Sequence, residues 1–461
     1  MRRRAALAAA LLGLAGLAGR GGAAAAAPAE VFSYGRFGEV SLYRGQGEVR
    51  EVALLLSGED GWRAPMPALA ERLAERNVLV AGIDLPHYLG ALAQAGEACV
   101  SPAADLENLS HYLQAKLALP AYVEPTLVGY SAGATLAYGT LAQAPAGLFK
   151  GALSLAFCPD AALAKPLCPG TALRPASRLS GRWIALQGEL DRVCPAPVTR
   201  RFVQAVPAAE SVMLPMVGHG YSVEKNWLPQ YLDAFGRVSG SGPAPAAAPA
   251  ALPPPVADLP LQIVPASRGG DEPWFAVFLS GDGGWVGIDK GISAALARHD
   301  IPVVGWDSLK YFWSPRTPQG SAQDLDRVLK TYSAAWHRSR VVLIGFSQGA
   351  DTLPFMVNRL PSATRRMVDL TVLLGISDNA LFEFHLANWL GTPPKGLPTA
   401  PELAAWSGSP YLCLYGEADG DAACESVSGH DGRVVKMPGG HHFGGGYTAI
   451  AEQILKSLPR S

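Results

Sequence analysis

The sequence carries little net charge and few charged side chains. Lys and Arg number 38 and Asp and Glu 39, so the formal net charge is −1, and charged residues make up 17% of the 461 positions. A chain without a global positive field is not suited to general nucleic-acid binding. Apolar residues make up 49%, which is enough for large cores, and the length allows about two to three domains.

Long apolar runs are missing beyond the amino terminus, so no permanent membrane span is expected there. The amino terminus has the parts of a secretory signal: basic Arg2-Arg3-Arg4, an apolar stretch from Ala5 to Ala18, and small residues through Ala27. We predict a cleaved signal peptide over 1–27 and export to a bacterial periplasm, with peripheral contact at the inner membrane. The alternative is an uncleaved anchor.

Cysteines are few, six in all. Cys413 and Cys424 are the pair of the second half, and a bond between them would brace the loop they bracket. The four cysteines of the first half can be paired in three ways, and a bond between Cys158 and Cys168 would close the shortest loop. Free buried thiols are the alternative. The first-half cysteines are Cys99, Cys158, Cys168 and Cys194.

A segment rich in Gly, Pro, Ser and Ala separates two halves of similar length. Such a composition is typical of a semi-stiff linker. We predict an amino-terminal domain over 28–238, a linker over 239–258 and a carboxy-terminal domain over 259–461.

The halves are repeats of each other. Leu54 to Trp62 matches Val277 to Trp285, and a Gly-Glu-x-Asp stretch and a late Gly-His step recur in both. Strands alternate with helical stretches, which predicts a mostly parallel sheet with helices on both faces. The predicted fold class is α/β, with two tandem α/β-hydrolase domains.

Each half carries a Gly-x-Ser-x-Gly motif between a β-branched run and a helical stretch. The motifs are Gly129-Tyr130-Ser131-Ala132-Gly133 and Gly345-Phe346-Ser347-Gln348-Gly349. This pattern predicts a nucleophile elbow, in which the glycines allow close backbone packing and the serine oxygen points outward.

A serine hydroxyl needs a base, and the base needs an orienting carboxylate. In the second half Ser347 is the predicted nucleophile and His441 the base, with His442 as its competitor. Spacing leaves the acid open between Asp419 and Asp421, with Glu417 a remote option. The first half supplies a second set in the same order, Ser131, Asp191 and His219, whose independent activity the sequence leaves open.

The tetrahedral intermediate needs two backbone N–H donors. The N–H of Gln348 and the loop at Gly281-Asp282 are the candidates in the second half. Ala132 and the Gly58-Glu59 loop are their counterparts in the first half.

Candidates for substrate recognition surround these motifs. Asp282 or Asp351 could receive a cationic amine, although Asp351 is also a favourable helix-start carboxylate. The aromatic stretch Tyr311 to Arg316 could line an acyl pocket or meet a lipid headgroup, or simply pack on the core. The His441-His442 pair lacks a matching ligand set for metal, and we expect no metal or organic cofactor.

The second half resembles the AcvB/VirJ family of bacterial virulence proteins. The resemblance covers nearly all of 260–461, and the first half looks like a diverged copy without the Tyr-Phe-Trp and Arg-Thr-Pro signatures. The segments that carry it are Ser308 to Trp313, Arg316-Thr317-Pro318, Gly345 to Asp351, Leu360-Pro361, Trp389-Leu390-Gly391 and Gly439 to Phe443.

The resemblance implies a periplasmic α/β-hydrolase that releases lysine or alanine from aminoacylated phosphatidylglycerol. It maps the nucleophile to Ser347 and the histidine to His441. The family pattern Tyr-Gly-Glu-x-x-x-Asp-x-x-Cys falls on Tyr415 to Cys424 and so places the acid on Asp421. Shorter members are also linked to type IV secretion as export factors.

Three functions remain open for this sequence. The first is hydrolysis of the aminoacyl-lipid ester at a periplasmic membrane surface, and the second is a general esterase or peptidase activity of the same fold. The third is a periplasmic adaptor for secretion-system proteins, with vestigial triads.

Overall fold

A computed structural model describes two large sheets flanked by helices. The described residues are 30–94, 99–159, 166–167, 173–240, 252–267, 272–384, 396–406, 409–420, 423–424 and 432–459. The predicted signal peptide, 1–27, lies outside them. Within these ranges, none of the helices combines the length and apolar character needed to cross a bilayer.

The described strands of the first half are β1 (Glu30–Tyr34), β2 (Gly38–Tyr43), β3 (Glu51–Leu56), β4 (Val78–Ile83), β5 (Thr126–Tyr130), β6 (Gly151–Leu155), β7 (Arg182–Gly188) and β8 (Glu210–Leu214). They form one sheet in the order β1-β2-β4-β3-β5-β6-β7-β8. β1 and β2 are antiparallel to their neighbours, and the strands from β4 to β8 run parallel.

The described strands of the second half are β9 (Leu261–Val264), β10 (Trp274–Leu279), β11 (Val303–Trp306), β12 (Arg340–Phe346), β13 (Val368–Leu374), β14 (Asn379–Ala380), β15 (Leu397–Pro398), β16 (Tyr411–Gly416) and β17 (Gly432–Met437). The main sheet has the order β9-β11-β10-β12-β13-β16-β17, and β14 pairs with β15 separately. Only β9 is antiparallel within the main sheet, as far as the described strands show.

Helices cover both sheets. Those of the first half are α1 (Met66–Ala74), α2 (Leu85–Gln94), α3 (Pro102–Lys116), α4 (Ala132–Gln143), α5 (Ala196–Gln204) and α6 (Leu228–Ser239). Those of the second half are α7 (Gly287–Arg298), α8 (Ser308–Phe312), α9 (Pro318–Trp336), α10 (Gln348–Asn358), α11 (Ser362–Arg365), α12 (Thr399–Ala404) and α13 (Tyr447–Ser457).

The two main sheets have the same topology. From β2 onward, each strand of the first sheet has a counterpart at the same position in the second, including the antiparallel edge strand. Central strands such as β4 and β10 are buried along their whole length, as expected for parallel strands covered on both faces. The predicted α/β fold with two α/β-hydrolase domains is therefore confirmed.

The second domain begins before the predicted boundary at residue 259. α6 ends at Ser239, and residues 241–251 of the predicted linker lie outside the described residues. Val256 is fully buried in the core of the second domain. The last part of the predicted linker therefore packs on that domain.

Two disulfides are described with both partners. The predicted Cys413–Cys424 bond is present. Cys158 pairs with Cys194, and not in the shortest closure, with Cys168. The reason is topological, because Cys158 follows β6 and Cys194 follows β7, and these adjacent parallel strands end at the same edge of the sheet. Cys99 is also disulfide-bonded.

Gly133 is required by the contact between α4 and the loop after β3. A Cβ atom there would lie 2.3 Å from the Ser57 carbonyl oxygen, closer than any real contact. We expect Gly133→Ala to lower the free energy of unfolding by about 1–3 kcal/mol through overpacking, measured by urea denaturation. Gly90→Ala is the control, since a Cβ at Gly90 meets no atom within 4 Å; equal losses in the two variants would contradict the account.

Candidate active sites

Both predicted nucleophiles sit at a strained turn between a strand and a helix. Ser131, between β5 and α4, has φ 53° and ψ −121°. Ser347, between β12 and α10, has φ 51° and ψ −120°. Such angles are costly for a residue with a side chain and persist where surrounding structure imposes them, often at functional sites. The matching angles fit the nucleophile elbow predicted for each motif.

Glycines make these turns feasible. A Cβ at Gly345 would lie 2.5 Å from the Gly349 carbonyl oxygen, and a Cβ at Gly349 would lie 2.3 Å from the Leu279 carbonyl oxygen. The helix therefore approaches the strands backbone to backbone, and side chains on the glycines would push the serine out of place.

The first domain brings its three predicted residues into one hydrogen-bonded chain. Ser131 Oγ lies 3.1 Å from His219 Nε2, and His219 Nδ1 lies 3.0 Å from Asp191 Oδ2. This is the arrangement in which an imidazole can take the serine proton while a carboxylate orients the ring.

Asp191 is held as an anion. Its Oδ1 accepts hydrogen bonds from the N–H groups of Val193 and Cys194, at 2.9 and 2.8 Å, and Oδ2 accepts one from the Gln187 amide at 3.0 Å. Burial alone would raise the pKa of Asp191, but the bonds from His219 and the two backbone N–H groups lower it overall. The carboxylate is thus fixed in charge and orientation.

The second domain brings together His441 and a carboxylate, Asp419. His441 Nδ1 lies 2.8 Å from Asp419 Oδ2, and the His441 ring lies beside Gly375. The His442 ring instead lies tilted against Phe346 and edge-on to His441. Among the described residues no hydrogen bond joins Ser347 to His441, so this site shows the elbow and the oriented base as separate parts.

The acid that the resemblance implied, Asp421, lies outside the described residues. Asp419 occupies the place of Asp191: its N–H bonds to the Gly416 carbonyl at 2.9 Å, as that of Asp191 bonds to Gly188 at 3.3 Å. The residue before each aspartate bonds to the loop that carries the histidine of the same domain. The Ala418 N–H donates to the Gly439 carbonyl, and the Leu190 N–H donates to the Val217 carbonyl. The two extra residues of the second half therefore follow Asp419.

Each predicted oxyanion loop lies against its serine. A Cβ on Gly58 would meet Ser131 Cβ at 3.3 Å, and one on Gly281 would meet Ser347 Cβ at 3.4 Å. The N–H of Ala132 donates to Glu59 Oε2 at 3.4 Å. Gln348 is nearly buried, and its side-chain amide donates to the Leu381 carbonyl.

Two carboxyl groups lie next to the Ser347 site. Asp351 is buried and accepts a 2.7 Å hydrogen bond from the Ser377 N–H. Burial raises the pKa of Asp351 well above its usual value, and the neighbouring Asp282 adds to this. Burial also raises the pKa of Asp282, against the opposing influence of His441. A cation bound beside these two carboxyl groups would therefore stabilise their charged forms.

Arg316 and the aromatic stretch do not contact the predicted catalytic residues. The Arg316 guanidinium lies 4.5 Å from the centre of the Tyr311 ring, and Nε donates to the Tyr311 carbonyl. In the described structure no contact links Arg316 to Ser347 or His441. Tyr311 and Phe312 are buried in the core of the second domain, as the packing alternative expected.

Lys310 and Trp313, from the same stretch, contact the first domain. Lys310 Nζ lies 2.7 Å from Glu124 Oε1, and the Trp313 indole donates to the Leu119 carbonyl at 2.7 Å. Two residues of the segment that supports the family resemblance thus lie at the interface between the domains. Sequence analysis could not identify this role, because the partners lie about 190 positions away, at separations of 186 and 194.

Glu107 of the first domain reaches the oxyanion loop of the second. Its Oε1 lies 3.6 Å from the position of a Cβ on Gly283. Burial raises the pKa of Glu107 to about 8, and the charge of Asp282 contributes. No local motif marks Glu107, which lies in the middle of α3.

One group of potential metal ligands occurs in the described part of the chain. Asp191, Cys194 and His219 present ligand atoms within 4.8 Å of one another. The Cys194 sulfur is bonded to Cys158, and the other two side chains are bonded to each other. The Asp191–His219 hydrogen bond and the disulfide account for this cluster.

The choice between Asp419 and Asp421 can be tested with nitrophenyl esters, in a Ser131→Ala background that leaves Ser347 as the reporting nucleophile. We expect Asp419→Asn to lower kcat by about 10³- to 10⁴-fold, because His441 loses the anion that orients its ring. Asp421→Asn is the matched control and should change kcat little. A larger loss for Asp421→Asn would reverse the assignment.

Glu107 should make stability depend on pH. A carboxyl whose pKa is raised on folding stabilises the folded state below its ordinary pKa, and this contribution is lost as pH rises through about 8. Glu107→Gln should therefore gain in melting temperature relative to the parent between pH 5 and pH 9. Glu39→Gln, at an exposed site, is the charge-matched control, and a pH-independent difference for Glu107→Gln would contradict this prediction.

Solved structures similar to this chain include a putative hydrolase and several esterases. A putative dienelactone hydrolase from Klebsiella pneumoniae subsp. pneumoniae MGH 78578 has 15% identity and a TM-score of 0.35, covering 44% of this chain and 92% of its own. The esterase Est2 from Thermogutta terrifontis has 17% identity and a TM-score of 0.35, covering 48% and 97%. The fold assignment itself rests on the strand order and the two elbows.

None of the curated proteins compared with the chain matches it significantly. The family model described as bacterial virulence protein VirJ matches residues 273–461. These residues contain the Ser347 elbow, Asp419 and His441, and the match confirms the resemblance drawn from the sequence. Over residues 273–461, the carboxy-terminal domain of this chain is therefore similar to the VirJ family.

Proposed function

We propose that the protein is a serine ester hydrolase whose Ser347 site cleaves the aminoacyl ester of aminoacyl-phosphatidylglycerol. The observation that carries the proposal is the elbow at Ser347 together with the His441–Asp419 pair in a VirJ-family domain. The products are the free amino acid, lysine or alanine, and phosphatidylglycerol.

The chemistry follows from the roles of these side chains. Ser347 attacks the ester carbonyl, and His441 accepts the serine proton and passes it to the leaving glycerol oxygen. Asp419 orients the His441 ring. The N–H of Gln348 and the backbone at Gly281-Asp282 would bind the negative oxygen of the intermediate. Water then attacks the acyl-serine and releases the amino acid.

The proposal requires Ser347 and His441 to come into hydrogen-bond contact when substrate binds. The His441 side chain is about one-third exposed, at 35%, so its ring has room to turn. Catalytic hydrogen bonds are often long in the absence of substrate and tighten in the Michaelis complex. The bond between Asp419 and Nδ1 leaves Nε2 as the nitrogen for the serine.

The aminoacyl group is favoured by the acidic surroundings of the site. An aminoacyl ester carries an ammonium group beside its carbonyl, and Asp282 and Asp351 repel each other's negative charge. An ammonium bound there would relieve that repulsion. Because Asp351 is already bonded to the Ser377 N–H, Asp282 is the better candidate for direct contact.

The proposed location is the periplasmic face of the inner membrane, after removal of residues 1–27. There the enzyme would meet its substrate at the lipid surface. A partnership with secretion-system proteins, as the resemblance implies, is compatible with this location and independent of the catalytic proposal.

The proposal can be tested on vesicles that contain lysyl- or alanyl-phosphatidylglycerol. We expect the mature protein to release amino acid, and Ser347→Ala to lose activity by at least about 10³-fold. Ser314→Ala, at an exposed serine of the same domain, is the control and should retain activity. Hydrolysis of simple esters without lipid cleavage would favour a general esterase, and full lipid cleavage by Ser347→Ala would refute the assignment.

A further inference from the structure

The Ser131 site is assembled for catalysis, yet its oxyanion position is already taken. Ser131 Oγ contacts His219 Nε2, which is bound to Asp191. The N–H of Ala132, the residue after the nucleophile, is a standard donor to the oxyanion. In this domain that N–H donates to the Glu59 carboxylate.

A carboxylate at this position opposes the reaction of a neutral ester. The tetrahedral intermediate develops negative charge where Glu59 already places one, and two anions compete for one donor. The Ser131 side chain also contributes to lowering the pKa of Glu59, which favours the charged carboxylate beside the nucleophile.

Glu59 is in a position to move. Its side chain is exposed, so a change of rotamer meets no packed core. Burial acts to raise the pKa of Glu59, but hydrogen bonds from its own N–H, from Ser131 and from Ala132 lower it overall. The Glu59 side chain is therefore an anion that is held at the oxyanion position by its hydrogen bond from the Ala132 N–H.

The second domain differs at this point. Asp282 stands in the place of Glu59 and is shorter by one methylene. Within the described residues, no hydrogen bond joins the Gln348 N–H to the Asp282 carboxylate. The occupied oxyanion hole is thus a feature of the Ser131 site.

A pocket opens in front of Ser131 with a volume of about 260 Å³. The Cys158–Cys194 disulfide, Pro159 and Val198 give it apolar walls, and Glu59 supplies a negative charge at its mouth. A pocket of this size fits a short acyl chain. The charge favours a chain with an ammonium group.

We propose that Glu59 gates the Ser131 site, making it a second serine hydrolase that is closed to neutral esters and opened by short esters that carry an ammonium. The ammonium pairs with the Glu59 carboxylate and draws it from the Ala132 N–H. Ser131 Oγ then bonds to the acyl carbon, the ester C–O bond breaks, and the serine proton moves through His219 to the leaving oxygen. Water hydrolyses the acyl-serine.

The test uses the full mature chain with Ser347→Ala, so that its result is independent of the function proposed for the other site. Two substrates of similar size are compared, p-nitrophenyl butyrate and the p-nitrophenyl ester of alanine. The Ser347→Ala chain should prefer the alanine ester. Adding Glu59→Gln should raise kcat/KM for the butyrate about tenfold or more and abolish that preference.

Two controls define the outcome. Asp60→Asn removes the adjacent exposed carboxylate and should leave both rates unchanged. Ser131→Ala, added to the Ser347→Ala chain, should abolish both activities. Equal rates with and without Glu59→Gln would overturn the gate. If the alanine ester is hydrolysed equally well with and without Ser131, or is not hydrolysed at all, the second activity is overturned.

Discussion

The close approach of a helix to the strands beneath it is the constraint on which both sites depend. At each elbow the chain turns from a buried strand into a helix within one residue, and that residue is the serine with a positive φ. The turn is held by backbone contacts that only glycine permits on either side. Once the sheet is formed, the serine is lifted above the ends of the parallel strands, where the histidine and acid loops also emerge.

Duplication has produced two versions of one arrangement with different contacts. Both domains share strand order, elbow angles and the pairing of the acid turn with the histidine loop. In the first domain the serine already contacts its histidine, and a carboxylate covers the oxyanion donor. In the second, no hydrogen bond joins the serine to the histidine among the described residues, and Glu107 from the first domain approaches the oxyanion loop. The same scaffold thus presents two different electrostatic environments to substrate.

Much of the fold and of the sites was accessible from sequence because it is encoded locally. Two Gly-x-Ser-x-Gly motifs after apolar runs, and repeated strand and helix patterns, led to the fold class. The acid was harder, since Asp419 and Asp421 are two residues apart and the choice depends on how the turn after β16 pairs with the histidine loop. The Cys158–Cys194 bond and the Lys310–Glu124 contact depend on strand adjacency and domain packing, which no local pattern contains.

The family signature extends beyond the residues predicted to be catalytic. Lys310 and Trp313 bind the first domain, while Tyr311 and Phe312 fill the core of the second. Lys310 and Glu124 line the same small cavity as Glu107 and Gly283. Residues of the domain interface and residues of the core therefore alternate along one short segment.

The most direct test of the central claim is peptide mass spectrometry of the mature protein after reaction with a neutral fluorophosphonate. If Ser347 is a nucleophile activated by His441, an adduct forms on the peptide that contains Ser347 and is lost in the His441→Ala variant. An intact, folded protein that carries no adduct at Ser347, or one that labels equally without His441, would contradict the account.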